Sequence, residues 1–338
     1  MYVANRTAPA GSYLRVPDLG WAMKPGIRFE IRGTRHAVDP LGYRLNDNAP
    51  PRRSDVTILA VGDSYTYGHL LQDRETWPAR LERRLQVRTV NAGVSGYGLD
   101  QMLVQTRKAL VDFPQTRTVL VALIADDVDR MRYRVRAGTA KPYFRLNVRG
   151  ELELVPADHA APGLAERGDP FQRLFARSYA AHRFMLLTAP GYWNRGTWRD
   201  YREAGIDVAA VGQRIVDALS SEVAGGRKLD LVFLLLPASP GDLAMAVPAR
   251  DQPAALVAQR IAMHAGRSPG VFVADLQSEF VRRVPGEAQR RGLYFDAAID
   301  PAGHFNARGA DLAAEIVARF LGDDGSVRAD AIPSPGVR

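Results

Sequence analysis

The chain has 338 residues, of which 46% are hydrophobic, so it can bury a large core. It contains no cysteine, which excludes disulfides, thiolate metal ligands and a cysteine nucleophile. The formal net charge is +8, carried almost entirely by arginine, yet no basic block, zinc-finger spacing or aromatic RNA-binding motif accompanies it. The charge is therefore interpreted as compositional bias, and no nucleic-acid partner is predicted.

Residues 1–55 are rich in Gly, Pro and Arg and show no sustained periodicity, so they are predicted to form an extended leader that packs on a main domain. This segment lacks the apolar stretch that a signal peptide contains. No run in the chain approaches the roughly 18–20 apolar residues that a membrane span needs. The sequence thus predicts no membrane span and, unless a targeting segment lies outside the chain, a cytoplasmic protein by default; it gives no oligomeric state.

From residue 56 onwards, apolar β-branched runs alternate with amphipathic helical periods. The runs cover 56–61, 88–94, 118–124, 229–236 and 270–276, and the helical periods begin near 77, 99, 207, 253 and 307. This alternation is typical of a parallel sheet with helices on both faces. We therefore predict an α/β domain over 56–321, a three-layer α/β/α sandwich with a mostly parallel five-stranded sheet. The rhythm breaks at about 130–206, which predicts an insertion near the ligand-binding edge, and 322–338 is predicted to be a disordered tail.

The stretch "AVGDSYTYG" follows the first apolar run and places Ser64 in a strand-to-helix turn. A serine there can present its hydroxyl while amides of the turn face the group that it attacks. It needs a base, and of the six histidines only His304, in "IDPAGHFNARG", combines an upstream aspartate with a position just before a helix. His304 is the candidate base and Asp300 its orienting acid, with Asp296 as the alternative acid.

Four blocks in order, "GDSYTYG", "NAGVSGYG", "LIADDVDR" and "DPAGHFNARG", resemble those of the SGNH, or GDSL-type, hydrolase superfamily, over residues 56–321. The resemblance implies a flavodoxin-like fold, with Ser64 as the nucleophile and His304 as the general base. It also implies an oxyanion hole formed by the amides of Ser64 and Gly93. By the same resemblance Asp63 braces the turn, and the block around His304 starts the last helix.

Two features depart from the family pattern. The third block carries Asp126 where the family has an oxyanion-binding asparagine. An ionised carboxylate would repel the oxyanion, so Asp126 is either turned away or kept protonated as a donor. The second departure is the spacing of four residues between Asp300 and His304, longer than the usual two or three.

The run "RMRYRVR" places four arginines at every second residue: Arg130, Arg132, Arg134 and Arg136. If the run is extended, they line one face near the expected pocket mouth and suit an anionic substrate, although a solvated basic edge is an equally good interpretation. His69, five residues after Ser64, is predicted to start a helix, with a position facing the pocket as the alternative. No two histidines stand four apart with a carboxylate, so neither a metal site nor a cofactor is predicted.

These observations predict a bacterial serine esterase that hydrolyses an O-acyl ester, with O-acetyl favoured, of a carbohydrate or lipid through an acyl-enzyme. One alternative is a polysaccharide O-acetyltransferase with the same Ser64, His304 and Asp300. Another is a catalytically silent glycan-binding module that has kept the fold; the substituted Asp126 favours it, and the presence of Ser64, Gly93 and His304 opposes it.

Overall fold

The leader folds into two antiparallel hairpins. One joins β1 (Tyr13–Val16) to β2 (Gly20–Met23), and the other joins β3 (Arg28–Ile31) to β4 (Thr34–Ala37). This computed structural model describes residues 9, 11–136, 139–158, 178–189, 200–202, 205–243, 245, 252–300 and 302–328. Side chains from both hairpins pack against the main domain: Trp21 lies near Val94 and Tyr97, and Met23 and Phe29 lie near Tyr67.

Five parallel strands form the central sheet. Ten strands follow β4 in the described part of the chain, and five of them belong to this sheet. The ten are, in chain order, β5 (Arg53–Gly62), β6 (Val87–Gly93), β7 (Thr116–Leu123), β8 (Tyr133–Arg136), β9 (Thr139–Ala140), β10 (Tyr143–Leu146), β11 (Leu152–Val155), β12 (Asp200–Arg202), β13 (Asp230–Leu235) and β14 (Val271–Asp275). The sheet has the spatial order β14-β13-β7-β5-β6, and all its neighbours are parallel. The five predicted strands are thus confirmed.

Helices cover both faces of this sheet. The helices in the described part of the chain are α1 (Ser64–Tyr67), α2 (Trp77–Leu85), α3 (Leu99–Asp112), α4 (Ala125–Asp129), α5 (Tyr179–Thr188), α6 (Val208–Leu219), α7 (Pro253–Arg267), α8 (Leu276–Arg283), α9 (Glu287–Arg291) and α10 (Ala307–Phe320). On one face α2, α8 and α10 share a core with Ile58, Leu120 and Val232. On the other, α3, α6 and α7 pack over Leu59, Val121 and Phe233. The three-layer α/β/α prediction is confirmed, and no helix in the described part of the chain is both long and apolar enough to cross a membrane.

The predicted disordered tail is wrong for residues 322–328. The Thr118 hydroxyl donates to the Gly325 carbonyl oxygen at 2.6 Å, and the Val327 amide donates to the Asp230 carboxylate at 2.9 Å. A Cβ built on Gly325 would meet Ile58 and Val87 at 3.2 Å, so this glycine lies directly on the sheet's amino edge. The small and polar residues of this segment thus allow it to pack closely against the sheet. The rest of the predicted tail, residues 329–338, lies outside the described residues.

Arg44 of the leader is fully buried and holds the loop that follows α1. Its guanidinium donates to the carbonyl oxygens of Tyr67 (2.5 Å), Gly68 (2.6 Å) and Leu71 (2.6 Å), and its Nε donates to Asp73 at 2.9 Å. Carbonyls at the end of a helix have no partner within it, so Arg44 satisfies groups that α1 leaves free. The leader is therefore part of the support of the loop behind Ser64.

We expect Arg44→Met to lower the free energy of unfolding by about 3–5 kcal/mol, because it leaves the buried carboxylate of Asp73 without its charged partner. Urea denaturation of the whole chain measures this. Arg15→Met, an exposed arginine of the same leader, is the matched control and should change stability by less than about 0.5 kcal/mol. Equal effects of the two substitutions would contradict the role given to Arg44.

His36 of the leader is buried between aromatic rings and bonded at both nitrogens. Its Nδ1 lies 3.1 Å from the Tyr67 hydroxyl, its Nε2 lies 2.9 Å from the Thr34 hydroxyl, and its ring stacks on Phe29. Burial, together with the positive charge of Arg44, lowers the pKa of His36 to about 2. His36 is therefore neutral in the folded protein at ordinary pH.

This neutral histidine makes stability depend on pH. Between pH 6.5 and the lowered pKa the unfolded chain binds a proton at His36 that the folded chain does not, so stability falls as pH falls below about 6.5, by up to about 1.4 kcal/mol per unit. Denaturation between pH 6.5 and 5 should show a shallower slope in His36→Gln. His264→Gln, on α7, is the control; an unchanged slope in His36→Gln would show that His36 does not titrate in this way.

Candidate active site

Ser64, His304 and Asp300 meet at the carboxyl edge of the sheet. Ser64 is the first residue of α1, directly after β5, and its Oγ lies 2.7 Å from His304 Nε2. His304 Nδ1 lies 2.6 Å from Asp300 Oδ2. The three side chains are almost entirely buried, with 6–11% of the histidine and aspartate side chains exposed. They form one continuous hydrogen-bonded chain from hydroxyl to carboxylate.

Two glycines allow α1 to lie against the strand ends. A Cβ on Gly62 would stand 2.2 Å from the Thr66 hydroxyl, and one on Gly93 would stand 2.3 Å from the Tyr67 amide nitrogen. Asp63 caps the short helix by accepting a hydrogen bond from the Tyr65 amide at 2.8 Å. The block around Ser64 is thus built for a tight approach of helix and sheet, which fixes the direction of the serine side chain.

The loop that carries His304 is held on both sides. The Tyr65 hydroxyl lies 2.8 Å from the carbonyl oxygen of Ala238 and 3.0 Å from that of Gly303. After the histidine, the Asn306 side chain caps α10 and donates to the Tyr294 carbonyl oxygen at 2.8 Å. The loop that carries the His304 imidazole is therefore held by hydrogen bonds between α1 and α10.

Asp300 is the carboxylate that contacts His304, through both the ring and the His304 amide (3.0 Å). Burial alone would raise the pKa of Asp300, but the hydrogen bonds and charge of His304 outweigh it and lower that pKa to about 2. The alternative acid, Asp296, accepts from the Ala298 amide at 2.8 Å and serves the turn before Asp300. The long spacing from Asp300 to His304 is thus spanned by a tight loop.

The backbone amides of Gly93 and Gly96, both in the sequence block "NAGVSGYG", differ in their hydrogen bonds. The Gly93 amide donates to Asn91 Oδ1 at 3.1 Å, and Asn91 in turn donates to the Thr66 carbonyl oxygen at 3.0 Å. In the following turn Gly96 has φ +85°, in the left-handed region, and its amide makes no hydrogen bond to the described residues. Of the two amides, that of Gly96 is the one without a hydrogen-bond acceptor among the described residues.

Arg130 lies beside Asp63, the residue before Ser64, and joins four partners. Its Nη1 donates to Asp63 Oδ2 at 2.9 Å, to the Tyr97 carbonyl oxygen at 3.0 Å and to Asp127, while its Nε donates to Asp126 at 2.8 Å. The same Asp63 oxygen accepts a 3.3 Å hydrogen bond from Ser64 Oγ. Arg130 therefore braces the turn that holds Ser64.

Arg130 and Arg132 form a 3₁₀ turn (Arg130–Arg132), so the four arginines do not share one extended face. Arg130 is buried in internal ion pairs, and Arg132 pairs with Asp129 at 2.6 Å. Within β8, the Arg134 guanidinium lies over the Tyr143 ring and that of Arg136 over the Tyr133 ring. The predicted contact between Arg130 and a substrate is wrong, because the buried Arg130 guanidinium is already paired with aspartates of the protein. The predicted substrate contacts of Arg132 and Arg134 stay predictions.

Asp126 is half-exposed, and its carboxylate pairs with Arg130 at 2.7 Å and with Arg136 at 3.7 Å. The neighbouring Asp127 is fully buried and accepts from the Ile124 amide at 2.9 Å; burial, with the charge of Asp63, raises its pKa well above the usual value. The arginines offset the negative charge of Asp126, which weakens any repulsion of an oxyanion.

We expect Asp126→Asn to change kcat/KM on a simple acetyl ester by less than about 10-fold, because the carboxylate is already paired and partly solvated. Steady-state kinetics at neutral pH measure this, with Asp129→Asn of the same helix as the control. A gain near the roughly 10²-fold worth of one oxyanion donor would show that the unmodified Asp126 opposes the oxyanion.

His69 lies just after α1 and not at a helix start, so that prediction is wrong; a position that faces the pocket stays a prediction. Its ring centroid is 4.7 Å from that of His304, and the residue is 5% exposed. Burial, together with the charge of His304, lowers the pKa of His69 to about 4. Its distance of five residues from Ser64 was the only sequence signal for this position.

No protein-family model and no curated protein matches the chain. Among solved structures it is similar to a protein assigned to the lipolytic G-D-S-L family from Desulfitobacterium hafniense DCB-2, at 13% identity over 78% of this chain and 99% of that one, with a TM-score of 0.40. A member of the same family from Veillonella parvula DSM 2008 is 14% identical over 78% and 97%, at 0.41.

A third solved structure, an acetyl xylan esterase, is 10% identical over 77% of this chain and 97% of that one, with a TM-score of 0.39. A fourth similar structure, from Slackia heliotrinireducens, carries the name SGNH hydrolase. Three of these four structures carry the name of the SGNH or G-D-S-L hydrolases.

Proposed function

We propose that the protein is a serine esterase that cleaves an O-acyl ester through an acyl-enzyme. The observation that carries this proposal is the unbroken chain of hydrogen bonds from Ser64 Oγ through His304 to Asp300, at 2.7 Å and 2.6 Å. A serine hydroxyl is a poor nucleophile at neutral pH unless a base takes its proton, and His304 Nε2 lies within reach of that proton.

In the first step Ser64 Oγ attacks the acyl carbonyl carbon while its proton passes to His304 Nε2. The carboxylate of Asp300 holds the ring and stabilises the imidazolium that forms. His304 then protonates the leaving alcohol, which departs and leaves the acyl group on Ser64. A water molecule, deprotonated by His304, releases the acid and restores the serine.

The oxyanion is stabilised by backbone amides in this proposal. Ser64 stands in the first turn of α1, where amides have no acceptor within the helix. The second donor belongs to the turn after β6, and we assign it to Gly96 in preference to Gly93, whose amide is bonded to Asn91. In this proposal the two backbone amides alone stabilise the negative charge of the oxyanion, because Asp126 stands where the family has a third donor, an asparagine.

The substrate class is proposed as a small-molecule, lipid or carbohydrate ester, with acetyl the favoured acyl group. A panel of p-nitrophenyl esters from acetate to long chains, followed by O-acetylated oligosaccharides, tests it. We expect hydrolysis to fall with acyl length. Turnover of no ester, with no labelling of Ser64 by a fluorophosphonate, would refute the esterase and leave a silent binding module. Acyl transfer to an added oligosaccharide that exceeds release of free acid would identify an acyltransferase.

A further inference from the structure

His69 has no partner in the catalytic chain described above. It is 5% exposed, and its ring nitrogens make no hydrogen bond to any described residue. These ring nitrogens are therefore available to an external ligand. The nearest aromatic ring to that of His69 among the described contacts is the imidazole of His304.

The backbone fixes His69 in this position. Its amide donates to the Ser64 carbonyl oxygen at 3.1 Å, and the preceding Gly68 takes φ +81° where α1 ends. Arg44 holds the Gly68 carbonyl oxygen at 2.6 Å from the opposite side. The imidazole is thus carried by a loop that several buried hydrogen bonds hold, which is the arrangement of a preorganised ligand.

Three potential ligand atoms come together here: one ring nitrogen of His69, one of His304 and one carboxylate oxygen of Asp300 lie within 4.8 Å of one another. Two imidazoles and a carboxylate form a ligand set typical of Zn²⁺ and related transition metals. The geometry points to an inhibitory transition-metal site formed by His69, His304 and Asp300. That it inhibits rests on the esterase proposed above; that it binds metal does not.

Metal binding and catalysis exclude each other at His304. As a base, His304 must offer Nε2 to the Ser64 proton while Nδ1 stays bonded to Asp300. A metal on Nε2 occupies the lone pair that would accept the proton. A metal on Nδ1 replaces the hydrogen bond to Asp300 that orients the ring. Either mode removes the general base without breaking a covalent bond.

The donor atoms of the site favour a metal that binds nitrogen. Asp300 supplies the single carboxylate oxygen of the ligand set, and the other two donors are imidazole nitrogens. Mg²⁺ and Ca²⁺ depend on several oxygen ligands, which this set does not supply. The site should therefore bind Zn²⁺ and leave Mg²⁺ and Ca²⁺ in solution.

Isothermal titration of the metal-free full chain with ZnCl₂ tests the binding directly. We expect one Zn²⁺ per chain, weakened in His69→Gln by at least the roughly 10–100-fold that loss of a supporting residue costs a metal site. His264→Gln is the matched control, because His264 also contacts an aspartate, Asp217 at 2.8 Å, but lies on α7. It should bind Zn²⁺ like the unsubstituted protein, and MgCl₂ should give no binding heat.

Ester hydrolysis is then measured against Zn²⁺, each variant relative to its own metal-free rate. The unsubstituted protein and His264→Gln should be inhibited over the range in which calorimetry shows binding, and His69→Gln should resist. No Zn²⁺ binding, or equal affinity in a folded His69→Gln or His69→Phe, would overturn the site. Binding that depends on His69 in a chain that hydrolyses no ester would sustain the metal site and refute the esterase.

Discussion

Ser64→Ala should lower kcat for ester hydrolysis by about 10⁴–10⁶-fold, because it removes the atom that forms the acyl-enzyme. The fold should persist. Ser64 Oγ contacts only His304 and, at 3.3 Å, Asp63 among the described residues, and the helix cap at Asp63 does not depend on the hydroxyl. Circular dichroism and urea denaturation of the variant should therefore resemble those of the unsubstituted protein.

Three measurements make this test specific to Ser64. Steady-state hydrolysis of p-nitrophenyl acetate gives the rate, and a fluorophosphonate probe should label the unsubstituted chain and not Ser64→Ala. Ser221→Ala, an exposed serine whose hydroxyl lies 3.1 Å from the Ala218 carbonyl oxygen, should keep full activity and labelling. If Ser64→Ala retained more than about 1% of the rate with contamination excluded, another group would be the nucleophile.

The sheet was predictable from sequence because its strands are buried on both faces. Runs such as the one that ends at Val61 are continuously apolar, a pattern that only a covered parallel strand explains well, and the helical periods between them complete the layers. His304 was predictable as the partner of Ser64 because it alone among the six histidines combines an upstream aspartate with a position just before a helix.

The supports of the site were not predictable in this way, because they depend on contacts between distant segments. Arg44 belongs to a leader without periodicity, and nothing in its sequence context indicates that it caps α1. In the sequence, Arg130 is one of four arginines at every second residue, and nothing distinguishes it from the others. In the structure a 3₁₀ turn replaces an extended strand at this point, and Arg130 pairs with Asp63. Residues whose roles arise from tertiary contacts carry no local pattern.

His304→Ala should lower kcat/KM by about 10⁴–10⁶-fold, because no other side chain bonds to Ser64 Oγ at 2.7 Å and can take its proton. His69, although close, makes no hydrogen bond to Ser64 among the described contacts, so it should not replace the base. Substantial activity in His304→Ala that disappears in the double variant with His69→Gln would show that His69 is a second base.

Asp300→Asn should cost less, about 10²–10⁴-fold, because the acid orients and stabilises the imidazole and does not itself accept the proton. The single oxygen of the amide can still accept from one of the two backbone amides that Asp300 binds, those of Ala302 and His304, but the amide cannot stabilise an imidazolium by charge. Asp296→Asn is the matched control, since Asp296 stands four residues earlier in the same loop and, among the described residues, its side chain bonds to a turn amide, that of Ala298. It should stay within a few-fold of the unsubstituted rate. A larger loss in Asp296→Asn than in Asp300→Asn would mean that Asp296 orients His304 during turnover.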